Sequence, residues 1–398
     1  MIGRVAIRFL KETDLRLLWK FAWQFGWHGM RAVQRFDKSM QRDGKAFPPF
    51  VFISITNNCN LRCQGCWVTP SSPARELSME ELDAIVNDFK QKGAKFFGIL
   101  GGEPLLHEGC LELFERHSDC YFQLFTNGHP LTDEVAARLR KAGNVTPLIS
   151  VEGLEEVSNI RRGGNQVYEK TMNGIEACRK NKLIFGIATS ICKSNLTDLA
   201  SEYFLHKAIA HGAHYVWYYI YRPVGPRPNP ELCLSYDEIL HLRSFLVEAR
   251  TRYPILIVDA YWDHEGKALC PAATGISHHI SPGGDIEPCP PIQFSKENIR
   301  DAGTPTEIIQ NSEFLAAFRK FSSSTTRGCV LLEAPQETHA FMKEHDARDS
   351  SGRGAVYEEL AAMERRPGHD MSGDAIPEKH WAYRFAKKHW FFGFGAYG

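Results

Sequence analysis

The apolar run Val51-Phe52-Ile53-Ser54-Ile55 stops at Thr56 and opens into Asn57-Asn58-Cys59-Asn60-Leu61-Arg62-Cys63-Gln64-Gly65-Cys66-Trp67. A short apolar run bounded by turn-forming residues reads as a buried strand, so the three cysteines leave a strand end within one loop. Three thiolates spaced C-x3-C-x2-C can close on one metal centre, and soft thiolate ligation selects zinc or an iron–sulfur cluster. No fourth cysteine or histidine follows closely. A structural zinc site closes its shell with four protein ligands, whereas three cysteines on a four-iron cluster leave one iron open. The spacing favours chemistry over scaffolding, with an incomplete zinc knuckle as the alternative.

About one βα unit downstream, Gly98-Ile99-Leu100-Gly101-Gly102-Glu103-Pro104 ends a second apolar run. With both motifs in this order, the sequence resembles the radical S-adenosylmethionine (SAM) superfamily. That resemblance implies a [4Fe-4S] cluster on Cys59, Cys63 and Cys66, with SAM as cofactor. It places the amino group of SAM at the Gly101-Gly102-Glu103-Pro104 turn, where small residues let a backbone approach closely. Phe125-Thr126-Asn127-Gly128 resembles the family's Thr-Asn-Gly turn, and Asn127 tolerates the positive φ of such turns. Ser150 belongs to a Ser-x-Asp-Gly-like segment in which Glu152 replaces Asp. Arg161, with Arg162 beside it, matches the basic turn that grips the SAM carboxylate. The family's aromatic position in the cysteine loop is Gly65 here, and Trp67 is the ring offered in its place. Tyr218, Tyr219, Tyr221 and Arg222 fall where the sixth strand opens on the site, but strand aromatics are core by default, and no catalytic acid or base is assigned.

Apolar runs at Val51–Thr56, Lys95–Leu100, Tyr121–Thr126, Leu148–Glu152, Ile184–Ile191 and Tyr215–Tyr221 alternate with helical patterns, the signature of a parallel α/β sheet. Ser78-Met79-Glu80-Glu81 offers a capping box and Gly93 a helix stop. Periodicity leaves an open sheet and a barrel equally possible; the resemblance implies a partial (β/α)6 TIM-like barrel. The expected organisation is an N-terminal helical segment (1–50), the barrel (51–252), a smaller iron–sulfur domain (253–335) and a tail (336–398).

Beyond the barrel, Cys270, Cys289 after the turn Ser281-Pro282-Gly283-Gly284-Asp285, and Cys329 resemble the twitch and SPASM extensions, implying one auxiliary [4Fe-4S] cluster. Cys233, His339, a carboxylate or an exchangeable molecule could supply its fourth ligand; widely spaced buried thiols are the alternative. Cys110, Cys120, Cys178 and Cys192 read as packing residues. The polar stretch from Gln336 to Gly373 reads as loosely ordered, ahead of an aromatic, basic end (Trp381, Tyr383, Phe385, Trp390, Phe391, Phe392, Phe394) expected to dock on the protein.

Residues 1–50 hold ten Lys/Arg and four Asp/Glu, a local net of +6. Between Asp14 and Met40 the basic residues interleave with Leu17, Leu18, Trp19, Phe21, Trp23, Phe25, Trp27, Met30, Val33 and Phe36. This fits either a helix packing its aromatics on the barrel or an amphipathic helix at a membrane surface. Over the whole chain Lys+Arg and Asp+Glu both number 47, giving no global field to recruit nucleic acid. Eleven scattered cysteines in 398 residues suit a reducing cytoplasm, with no signal-peptide core at Met1–Leu10. The reading at this level is a radical SAM enzyme in the cytoplasm, peripheral contact with the inner membrane surface being a further expectation. Its substrate is a small or lipid-like molecule and its electron donor resembles flavodoxin or ferredoxin; a peptide-modifying enzyme and a non-enzymatic iron–sulfur carrier are the rivals.

Overall fold

The computed structural model describes residues 1–44, 47–371 and 373–389. Its main sheet contains β1 (Phe50–Ser54), β2 (Phe96–Leu100), β3 (Tyr121–Thr126), β4 (Val145–Ser150), β5 (Gly186–Ile191), β6 (Tyr215–Ile220), β7 (Leu256–Val258), β8 (Ser277–Ile280) and β9 (Ile286–Glu287). The order is β7-β6-β5-β4-β3-β2-β1-β8-β9. Neighbours run parallel except β8 and β9, which pair antiparallel.

The sheet is curled. Neighbouring strands lie roughly 4.8 Å apart, so in a flat sheet β3 and β6 would be separated by roughly 14 Å. Instead the Phe125 and Trp217 ring centroids meet at 6.3 Å, and Gln123 donates to the Tyr215 hydroxyl at 3.2 Å. Phe52 of β1 reaches Phe125 at 6.0 Å. Rings from strands that are not neighbours thus fill the interior of a partial barrel.

All six expected strands form, and the helix Met79–Gln91 has its capping box from Ser78 and Glu81, with Gly93 at φ 89° beyond it. Two differences stand out. The boundary at 252/253 does not divide the sheet, because β7 extends one edge beside β6 and β8 pairs with β1 on the other. No apolar run marks β8, because its centre is His278-His279. Both are buried, and His279 is satisfied between the Ser54 hydroxyl of β1 (2.8 Å) and the Glu287 carboxylate of β9 (2.5 Å). Polar pairing here does the work of apolar packing.

The N-terminal segment forms α1 (Ile2–Glu12), α2 (Leu15–Lys20), a π-helical turn (Phe21–Trp27) and α3 (His28–Asp43). It runs as a belt under the barrel, contacting the chain just before strand after strand. Arg35 donates to Gly93 O ahead of β2, Gln24 to Ser118 O ahead of β3 and Lys20 to Ala142 O ahead of β4. The Asp14 amide donates to Lys182 O ahead of β5, and Arg8 to Ala213 O and Pro254 O ahead of β6 and β7. Phe21 and Phe25 pack inward on Tyr121 and Phe96, the first residues of β3 and β2.

The stretch expected to be loosely ordered is folded: it forms the helices Pro335–Glu344 and Val356–Ala361 and a strand, Arg348–Asp349, paired with Phe294–Ser295. The helix Trp381–His389 docks through Lys387, which inserts among Asp259, Glu378, Arg243 and Arg250, all buried. The Tyr383 hydroxyl accepts from Ile257 N at 2.8 Å. Trp390, Phe391, Phe392 and Phe394 lie outside the described residues.

Candidate active site

At the carboxyl ends of the strands, the cysteine loop after β1 and the glycine turn after β2 lock together through their backbones. Gly102 N donates to Thr56 O (2.8 Å) and Glu103 N to Asn58 O (2.7 Å). A Cβ on Gly101 would stand 2.6 Å from Thr56 O, and one on Gly102 2.2 Å from Asn58 O. The glycines are therefore required by the approach of the cysteine loop itself, as well as leaving room in the cavity they line.

Glu103 is fully buried and ties this turn to the next. Its carboxylate accepts from Leu105 N (3.1 Å), Thr126 Oγ1 (2.8 Å) and Asn127 N (2.7 Å). Burial still outweighs those three donors and pushes its pKa up to about 7. The positive φ of the turn falls on Gly128 (84°) rather than on Asn127. Asn127 instead donates to Asn60 Oδ1 at 2.7 Å, reaching into the cysteine loop. Pro104 opens the 3-10 turn Pro104–Leu106.

Arg161 and Arg162 end the helix Glu155–Arg162 and are both buried, so neither is surface charge. Arg162 Nη1 lies 3.8 Å from Cys63 Sγ. Arg161 donates to Gln64 O (3.4 Å) and lies over the Tyr221 ring at 4.9 Å. Glu152 sits 3.9 Å and 3.7 Å from these guanidinium groups and accepts from Ser190 N at 3.1 Å. Two buried cations thus share one nearby carboxylate, and the Nε of each has no partner. Together with Cys59, Cys63, Cys66, Gly101, Gly102, Asn127 and Ser150 they line a cavity of about 400 Å³. Two buried guanidinium groups with one nearby carboxylate, lining such a cavity, fit a carboxylate-bearing ligand.

The three thiols of the loop feel one another: burial, then the neighbouring thiols, push Cys59 up to about 11 and Cys66 to about 12. Metal binding would deprotonate them. Among the described residues no three His, Cys, Asp or Glu side chains are placed to hold one metal ion. A four-iron cluster takes each thiolate on a different iron, and so suits a wider triad than a single ion does.

Cys270, Cys289 and Cys329 also come together, although they are far apart in sequence. Cys270 precedes the short helix Pro271–Thr274, Cys289 follows β9, and Cys329 precedes Val330–Glu333. Burial, then the other thiols of the set, raises Cys270 to about 11 and lifts Cys289 well above the ordinary thiol value. Arg222 Nε points at Cys329 Sγ from 3.0 Å, held by Ile220 O (3.0 Å) and the Tyr261 hydroxyl (3.3 Å). Cys233 and His339, the residues named as possible fourth ligands, do not line the cavity that these three thiols line. The charged neighbours of Cys233 are Arg366, Lys193, Cys192 and Glu231, and His339 stands against Tyr357. The other four cysteines lie in the apolar core as expected.

Beside the cavity that holds Cys59, Cys63 and Cys66, and sharing Phe125, Ser150 and Glu152 with it, lies a chamber of about 300 Å³ lined by Phe52, Trp217, Tyr219, Tyr261, Cys270, Cys289 and Cys329. Residues 53–199 match the model of the Radical SAM superfamily. The chain carries a radical SAM domain.

This chain is 30% identical over 199 residues to an AdoMet-dependent heme synthase of Methanosarcina barkeri, covering 49% of this chain and 57% of that one. It is 24% identical over 277 residues to the sporulation killing factor maturation protein SkfB of Bacillus subtilis, covering 65% of each. The chain thus spans between half and two thirds of these two relatives. In fold it is similar to SuiB of Streptococcus suis (TM-score 0.60, 14% identity, 72% of this chain and 70% of that one). It is also similar to anSMEcpe with bound AdoMet and a peptide (TM-score 0.55, 19% identity, 69% and 84%).

Two residues gain a place that sequence reasoning did not give them. A Cβ on Gly65, at φ 69°, would stand 2.2 Å from the Tyr221 ring. A ring beside the cysteine loop at that point is therefore Tyr221, just past β6, while Trp67 lines the cavity that the loop forms. Arg222 is the cation at the second thiol set. The available signal was an arginine immediately following a buried aromatic strand, at the strand end where ligands gather in such folds.

Proposed function

We propose that this chain is a radical SAM enzyme that binds a catalytic cluster on Cys59, Cys63 and Cys66 and an auxiliary cluster on Cys270, Cys289 and Cys329. The observation that carries this reading is a pair of adjoining cavities, sharing Phe125, Ser150 and Glu152, each lined by one thiol triad. When bound, the catalytic cluster supplies the electron that cleaves SAM to methionine and a 5′-deoxyadenosyl radical, which abstracts a substrate hydrogen. Gly101, Gly102, Glu103 and Pro104 shape the seat for the SAM amino group, Glu103 holding that turn against Thr126 and Asn127. Asn127 braces the cysteine loop through Asn60. Arg161 and Arg162 offer their free donors to the SAM carboxylate, Ser150 and Glu152 stand between SAM and chamber, and Tyr221 takes the ring position that Gly65 vacates. Surrounding rings exclude water from the radical, the protein's main task when the cofactor carries the chemistry. A flavodoxin- or ferredoxin-like protein supplies electrons.

For the substrate, the chamber opens past Val224, Pro291, Ile292 and Leu331 into an outer groove of about 500 Å³ that also holds Arg353, Glu359 and Arg366. A chamber for the reacting group with a mixed polar groove outside suits an extended substrate such as a peptide. The enclosing rings favour a second reading, a compact small molecule held within the chamber. The aromatic N-terminal belt lies at the opposite end of the barrel and gives no support to a lipid-like substrate. Anaerobic reconstitution followed by SAM and dithionite tests the reading. Formation of 5′-deoxyadenosine, with SAM affinity reduced about tenfold or more in Arg161→Ala by loss of a charge-assisted contact, is expected. A parent protein that binds iron but never cleaves SAM would overturn it.

A further inference from the structure

The belt presents aromatics on both faces, and the two faces differ in kind. Phe21 and Phe25 turn inward onto the barrel. Trp19, Trp23 and Trp27 turn outward, 69%, 48% and 43% exposed. Their rings stack as a ladder, with centroids 6.3 Å and 6.4 Å apart and planes within 9° and 12°. The π turn helps to build it. Closing one residue later than an α-helix, it offsets the drift that residues four apart accumulate around a helix. Three large rings left in water by a well-packed segment are unusual, and exposed apolar groups gathered in one place mark contact surfaces.

We propose that this face docks on a bilayer carrying anionic headgroups. Two observations choose that occupant. Tryptophan, with an apolar body and a polar N–H, is the residue enriched at membrane interfaces. The segment around the ladder is also cationic, with Arg31 lying over the Trp27 ring at 5.5 Å and exposed Lys11, Arg16, Arg35 and Lys38 nearby in the chain. Of its acids, Glu12 and Asp14 are engaged by Arg8 and Arg140, and Asp37 is exposed between Arg35 and Lys38, so the cations outnumber it. Docking would be peripheral, since no helix among the described residues is long and apolar enough to cross a membrane. The belt spans the amino ends of the strands, while the loop of Cys59, Cys63 and Cys66 follows the carboxyl end of β1. A bilayer under the belt therefore leaves that loop and its cavity facing away from it.

The test uses the reconstituted full chain with vesicles of phosphatidylcholine alone and of phosphatidylcholine mixed with phosphatidylglycerol. Co-sedimentation with the anionic vesicles, weakened by salt and reduced about tenfold or more in Trp19→Ser/Trp23→Ser/Trp27→Ser, is expected for interfacial aromatic anchoring. Arg31→Glu/Lys38→Glu, which leaves the packed Phe face alone, should weaken binding in the same direction, and both variants should form 5′-deoxyadenosine at the parent rate. Absence of vesicle binding by the parent, or equal salt-independent binding to both vesicle types, would overturn the proposal. So would a parent dimer that the tryptophan variant dissolves while vesicles go unbound, which would assign the face to a second copy.

Discussion

The two thiol sets line adjoining cavities that share Phe125, Ser150 and Glu152, yet they are built in opposite ways. Cys59, Cys63 and Cys66 share one loop, folded against the backbone of the next turn and crossed by Arg162 at Cys63. Cys270, Cys289 and Cys329 come from a helix start, a hairpin end and another helix start, gathered around Arg222 at Cys329. A guanidinium beside one thiol of each set, Arg162 buried and Arg222 half-buried, is the shared feature. The difference teaches that a local set shows its own spacing, which the glycine turn downstream then strengthens, while a set assembled by tertiary structure is legible only through the resemblance.

The largest effect expected from breaking the comparison comes from the local set. Cys59→Ala/Cys63→Ala/Cys66→Ala should abolish SAM cleavage, read as 5′-deoxyadenosine under dithionite. Cys270→Ala/Cys289→Ala/Cys329→Ala should instead retain SAM cleavage and lose conversion of substrate, so deoxyadenosine would form without product. Equal loss of SAM cleavage in both variants would mean that the second set supports the fold rather than the substrate step.

Two glycines sharpen the account of the local set. Gly102→Ala sets a Cβ 2.2 Å from a backbone oxygen, whereas Gly65→Ala meets the movable edge of the Tyr221 side chain. SAM affinity should fall by about a hundredfold in the first. It should fall about tenfold in the second, where roughly 1–2 kcal/mol of left-handed strain is the main cost. Isothermal titration with SAM separates them, and the reverse order would contradict the loop-packing role of Gly102.

The smallest effect concerns regions outside either thiol set and serves as their control. Burial holds His214 neutral, with its pKa depressed to about 3, and His278 with its pKa depressed to about 4. Phe185 N donates to His214 Nδ1, so Nε2 carries the proton toward Thr13 Oγ1. Unfolded histidine takes up a proton near pH 6.5. Stability from these groups is therefore full above that pH and falls as pH drops from about 6.5 toward 4, by at most about 2 kcal/mol each at pH 5. His214→Gln should flatten part of that fall in melting temperature while SAM cleavage at neutral pH stays at the parent level.

Much of the barrel was legible because apolar runs alternating with helical patterns are a local property. The strand β8 was not, since a strand with two adjacent histidines shows its burial only once Ser54 and Glu287 are placed around it. Arg161 and Arg162 were legible as cations but not as buried ones, which depends on Glu152 and the cysteine loop closing over them. The aromatic N-terminal segment carried both of its readings at once, phenylalanines toward the barrel and tryptophans toward water, and composition alone could not divide them.

The most direct test is an anaerobic iron and sulfide count on the reconstituted parent and on both triple-alanine variants. Two four-iron clusters predict about eight irons in the parent and about four in each variant. About four in the parent, falling to none without Cys59, Cys63 and Cys66 and unchanged without Cys270, Cys289 and Cys329, would contradict the second cluster.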